Sequence, residues 1–72
     1  MQETKDKILA HFQAEFTRTR WPFFGLSEIC YKFGKEALDA CRELYLDGVV
    51  IKHPGARGII LEYVPDESNW LS

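Results

Sequence analysis

Four side chains in this sequence have the chemistry to hold a transition metal or to attack a carbonyl: Cys30, Cys41, His11 and His53. Together they would make a two-cysteine, two-histidine zinc set. No pair stands at CxxC or HxxxH spacing, so nothing places two ligands on one turn. Two cysteines are also too few for a disulfide framework, and both are expected as reduced, buried thiols. Cys41 and His53 as nucleophile and base would need a third group to orient the base. Cys41 instead falls on an apolar stripe, and His53 stands beside Pro54-Gly55 in a turn, so a core thiol and an exposed turn residue are expected. Gly55-Ala56-Arg57-Gly58 has glycines suited to a phosphate loop, but such a loop opens a helix, and this one joins two β-branched runs. With no Ser-His-Asp or paired-carboxylate arrangement, the expectation is no enzyme, no cofactor and no metal site.

The remaining chemistry is charge. Nine basic residues against eleven acidic leave a net charge of −2. A protein that coats nucleic acid indiscriminately is normally far more basic. The charges are unevenly placed. Residues 17–35 carry Arg18, Arg20, Lys32 and Lys35 against Glu28 alone, and residues 49–60 carry Lys52 and Arg57 with no carboxylate. Residues 36–48 reverse this, with Glu36, Asp39, Glu43 and Asp47 against Arg42.

The elements that position these charges follow from periodicity. Ile8, Leu9, Phe12 and Phe16 recur at helical spacing and predict a first helix over 4–17, with Thr4 as N-cap and Pro22 beyond its end. Trp21-Pro22-Phe23-Phe24-Gly25 reads as an extended connector, with one of the two phenylalanines facing the core. Trp21 is either a partner anchor or, as expected from ordinary burial, packed on the first helix. Leu26 to Asp47 carries one continuous apolar stripe, with Ser27 or a neighbour as cap and Gly48 as C-cap. Ala37, Leu38, Cys41, Leu44 and Tyr45 are expected to share its buried face. Two helices broken at Gly34 and one long helix both satisfy the spacing, and the cost of an interior glycine, about 1 kcal/mol, favours the break. Val49-Val50-Ile51 and Ile59 to Val64 are β-branched runs flanking a Pro-Gly turn, which predicts a hairpin.

This order resembles the winged helix-turn-helix superfamily. The resemblance rests on Leu26-Ser27-Glu28-Ile29, on Ala37, Cys41 and Leu44, on Asp47-Gly48-Val49-Val50 and on the glycine-containing hairpin, and it spans residues 5 to about 64. It implies an α+β fold of three helices, the third separate from or fused with the second, followed by a C-terminal two-stranded β-hairpin wing. One departure is the turn at Phe33-Gly34-Lys35, shorter than in many members. The implied function is binding of duplex DNA by a small regulator or accessory factor, with the third helix in the major groove and the wing on the backbone. The reading helix would be Lys35 to Leu46, exposing Lys35, Glu36, Asp39, Arg42 and Glu43. Arg18, Arg20, Lys32, Lys35, Lys52 and Arg57 would meet phosphates, and His53 would add a pH-dependent contact. Four carboxylates at the reading helix oppose this. The alternative is a winged-helix module that uses its acidic third helix to bind a basic protein partner.

With 72 residues, 46% of them apolar and 28% charged, the chain is expected to be one globular domain over 1–72, its core over about 4–64. The tail, 65–72, is polar until Trp70-Leu71. That pair either folds back over the domain or anchors a protein partner or a second copy. The N-terminal residues lack the apolar stretch of a signal peptide and no run approaches the ~20 residues that span a bilayer, so a cytoplasmic protein without membrane contact is expected.

Overall fold

The fold was obtained as a computed structural model, which describes residues 2–65. Helix α1 spans Gln2–Thr19, longer at both ends than the apolar stripe alone requires. Thr4 lies within its first turn, and its hydroxyl donates to Glu36 at 2.8 Å instead of capping α1. At the other end Arg20 adopts φ 60° and its N–H closes the helix on the Phe16 carbonyl at 2.8 Å. Such a left-handed residue redirects the chain sharply. Trp21 is therefore not packed on α1: it is 63% exposed and lies edge-on to Phe23, with centroids 5.3 Å apart.

The connector is itself a strand, β1, Phe23–Gly25. Phe24 faces inward, its ring centroid 4.5 Å from that of Phe12. Phe23 faces the other side, as alternation requires. Helices α2, Leu26–Phe33, and α3, Ala37–Leu46, are separate. Gly34, at φ 88° and ψ −166°, makes the break: its N–H ends α2 on the Cys30 carbonyl, and its own carbonyl accepts from Ala37. Gly25, not Ser27, occupies the N-cap of α2. The end of α3 is a Schellman motif. Gly48 at φ 80° donates to the Tyr45 carbonyl and Val49 donates to the Leu44 carbonyl, a geometry that favours glycine.

Strands β2, Val50–Gly55, and β3, Gly58–Tyr63, pair antiparallel from Val50↔Tyr63 to Gly55↔Gly58, leaving only Ala56-Arg57 as the loop. The hairpin is longer than its turn residues suggested, because Lys52, His53 and Pro54 belong to β2. An edge strand tolerates the missing proline donor, and β2 is an edge. The two strands expected of the hairpin are joined by a third, which the sequence offered only as an extended connector. β1 pairs with β3 through Phe23↔Glu62, Phe24↔Leu61 and Gly25↔Ile60, giving a three-stranded antiparallel sheet of order β1-β3-β2.

The chain is thus α+β, with three helices against one face of the sheet. Ile8 and Phe12 of α1, Ile29 of α2, Ala37, Ala40, Cys41 and Leu44 of α3, and Val50, Leu61 and Tyr63 of the hairpin form the core. Removing a buried phenylalanine such as Phe12 costs about 3–5 kcal/mol. No helix of the described residues is long and apolar enough to cross a membrane.

Candidate nucleic-acid interface

Helix α3 decides where the charges lie. Its buried side is Ala37, Ala40, Cys41 and Leu44. One flank of the remaining surface faces α1. There Glu36 accepts from Thr4, and the Lys5 ammonium lies 2.7 Å from Asp47 and 3.7 Å from Glu43. The Asp47 hydrogen bond is the main cause that raises the Lys5 pKa above its ordinary value, against a smaller opposing effect of burial. Three of the four carboxylates at the third helix therefore have partners on α1. Only Asp39 has its cation on α3 itself, with Arg42 4.0 Å away one turn on. Such an exposed pair is worth roughly 0.2–0.5 kcal/mol and yields readily to a stronger partner.

The other flank faces the hairpin. Register puts Lys52 opposite Leu61, on the inner face of the sheet. Its ammonium reaches back over the Tyr45 ring of α3, 5.6 Å from the centroid. Arg57 occupies the two-residue loop at the hairpin tip and Lys35 the turn before α3, both exposed. Asp39 and Arg42, three residues apart, share one outward side of α3, and Lys35 precedes the helix in the turn. This flank and the hairpin thus present Arg42, Lys52 and Arg57 against Asp39, with Lys35 exposed in the turn that leads into α3.

The other candidates are not brought to this surface. Arg18 is bound to Glu15, and that hydrogen bond holds the Glu15 carboxyl below its usual range. The Arg20 guanidinium lies over the Phe16 ring, 5.7 Å from its centroid. Both sit at the C-terminal end of α1, which packs through Phe16 against Tyr63 at the base of the hairpin, away from Arg57. Lys32 lies close enough to His11 and Glu15 of α1 to lower the pKa of both. His53 is not at the hairpin tip. It stands within β2 on the outer face of the sheet, its Nε2 2.7 Å from Glu62 and its ring 6.2 Å from that of Phe23.

Of the metal- and thiol-type residues, the two cysteines lie near each other and the histidines stand elsewhere. Cys41 is on the buried side of α3, and burial first, then Cys30 nearby, push its thiol up to about 11. His11 is wedged between Phe24 and Phe33, with ring centroids 5.8 and 5.6 Å away. Burial first, then Lys32, lower its pKa against a smaller opposing effect of Glu15. Among the described residues no three His, Cys, Asp or Glu side chains come together to hold a metal ion.

One feature of the hairpin flank was not anticipated. Leu38 and Tyr45, expected in the core, are 48% and 46% exposed. With Leu46 and, across from them, Ile59 of β3, they wall a groove of about 300 Å³ between α3 and the hairpin. Arg42 and Lys52 stand at it. The signal was present in composition: seven of the ten residues of α3 are apolar, more than a one-sided stripe needs. The Trp70-Leu71 pair lies outside the described residues. Comparison with models of known families, with curated proteins and with solved structures finds no match.

Proposed function

We propose that this chain is a winged-helix module that binds duplex DNA, with α3 toward the major groove and the β2–β3 hairpin along the backbone. Helix, strand, two helices and hairpin, with β1 paired to the strand that returns from the hairpin, support the winged-helix part of this reading. The observation that carries the DNA part is the engagement of Glu36, Glu43 and Asp47 with α1. It takes most of the acidic character of α3 away from the flank a duplex would meet. Arg42 is the side chain best placed to read a guanine edge, and Lys35, Lys52 and Arg57 are the phosphate contacts. The phosphate set is accordingly smaller than the sequence alone suggested.

An NMR titration of labelled protein with mixed-sequence duplex, at low and at physiological salt, tests this. The expected result is salt-sensitive shifts at residues 35, 38–46 and 52–59, with binding that weakens with log salt at a slope of roughly −3 for the three phosphate contacts. Absence of shifts at low salt would remove the DNA reading. A second reading, a protein-docking winged helix, is favoured by the apolar groove and no longer by the carboxylates of α3.

A further inference from the structure

The groove between α3 and the hairpin has apolar walls, a closed floor and a charged rim. Cys41 and Leu61, each 3% exposed, form the floor. Leu38, Tyr45 and Leu46 form one wall and Ile59 the other, and Leu46 is 74% exposed. About 300 Å³ is at the lower end of the volumes that enclose small organic ligands, enough for one or two large side chains. The rim is cationic, with Arg42 on the helix side and Lys52 on the strand side. An apolar cleft edged by two cations fits a short segment that carries large apolar side chains and carboxylates together.

The chain contains one such segment outside the elements already described. Asp66-Glu67-Ser68-Asn69-Trp70-Leu71 places two carboxylates ahead of an aromatic-aliphatic pair. Val64, two residues before it, lies at the groove's hairpin end. The Val64 N–H donates to the Val49 carbonyl at 2.8 Å, three residues beyond Leu46 and three before Lys52. Six residues reach up to about 20 Å when extended. The eight helical steps from Leu46 to Leu38 cover only about 12 Å. Reach, charge and side-chain chemistry agree. We propose that the groove between α3 and the hairpin is the docking site of the chain's own Asp66–Leu71 segment, with Trp70 among Leu38, Leu46 and Ile59, and Asp66 and Glu67 toward Arg42 and Lys52. This inference does not rest on DNA binding, and its test contains no nucleic acid.

The test uses the full chain, isotopically labelled. Nuclear Overhauser contacts are expected from the Trp70 indole to the methyl groups of Leu38, Leu46 or Ile59, unchanged on dilution. Trp70→Ala should shift the amide resonances of Leu38, Arg42, Tyr45, Leu46, Lys52 and Ile59 and leave Tyr31 on α2 where it was. Arg42→Glu combined with Lys52→Glu should weaken the indole contacts while the core resonances persist. Indole contacts that fade on dilution would assign the groove to a second copy and overturn the proposal. Absence of the contacts, together with a Trp70→Ala spectrum unchanged at the groove, would overturn it too and leave the groove to a separate partner.

Discussion

The two flanks of α3 are built from different materials. Toward α1 the helix presents Glu36, Glu43 and Asp47, each with a partner on α1. Toward the hairpin it presents Leu38, Tyr45 and Leu46, with Arg42 beside them and Lys52 overhead. The first flank uses its charges within the fold. The second leaves its apolar surface and cations without cover among the described residues. A net count of −3 over residues 36–48 describes neither, because a sum along the chain has no azimuth. The functional content of α3 lies in how its charges are distributed around its axis.

Both flanks stand on one core, so the largest effect is the loss of that core. Phe12→Ala should cost about 3–5 kcal/mol and Leu44→Ala about 2–5. A domain of this size has roughly 4–11 kcal/mol in total. Chemical denaturation of either variant should find it unfolded or nearly so at ambient temperature, and a barely shifted midpoint in both would refute the core assignment. Next comes the joint where α3 hands over to the hairpin. Gly48→Ala puts a Cβ on a residue at φ 80° with open space around it, so the penalty is backbone strain alone, about 1–2 kcal/mol. A melting curve superimposable on that of the parent would contradict this.

Smaller effects separate the flanks. Arg42→Ala should leave stability within about 0.5 kcal/mol, as at most surface sites. It should also lower the preference of duplex binding for the contacted guanine by about 1–3 kcal/mol. Equal affinity for duplexes with and without that guanine in the parent and the variant would take Arg42 out of base reading. Lys5→Gln touches no phosphate in this arrangement, yet it releases Glu43 and Asp47 from their cation. Duplex affinity should fall modestly, and an equal affinity would show that the α1 flank has no electrostatic influence on the other.

The smallest effect is a pH dependence seated away from both flanks. His11 has its pKa lowered below 6.5 in the fold, chiefly by burial. The unfolded chain therefore binds the proton more readily, and stability falls as pH drops below 6.5 toward the folded value, while above 6.5 the full contribution is present. Denaturation midpoints across that window should decline in the parent. The decline should be shallower in His11→Phe, which keeps an aromatic ring between Phe24 and Phe33. Parallel pH profiles would exclude His11 as the cause.

Much of the fold is legible in local pattern. The stripe through Ile8 and Phe12, the Gly48 stop and the alternation of Leu61 and Tyr63 are short-range signals. Gly34 is ambiguous by spacing, and its backbone angles settle it as a break between two helices. β1 was hidden for a different reason. Three residues, Phe-Phe-Gly, carry no usable alternation, and their partner strand is distant in sequence. Pro54 masked the length of β2, because a proline is compatible with an edge strand and equally with a turn. In the candidate site, Arg57 could be placed from the hairpin turn alone, whereas Lys52 reads as part of the turn and stands within β2. The roles of Glu36, Glu43 and Asp47 depended on the contact of α1 with α3, which sequence spacing does not report. Leu38 and Tyr45 were assigned to the core because apolar residues beside a stripe and within it look alike until the opposing element is known.

The pairing of β1 with β3 also bears on the order in which the molecule assembles. The hairpin closes over two residues, whereas Phe23↔Glu62 joins positions nearly forty apart. Closing the longer loop costs on the order of 2–3 kcal/mol more in chain entropy. Three residue pairs do little to offset that cost until α1, α2 and α3 have already gathered beneath the sheet. The short strand therefore acts as a clasp fastened late. Its amides are the ones in the sheet whose hydrogen exchange reports whether the whole domain, and not just the hairpin, is assembled.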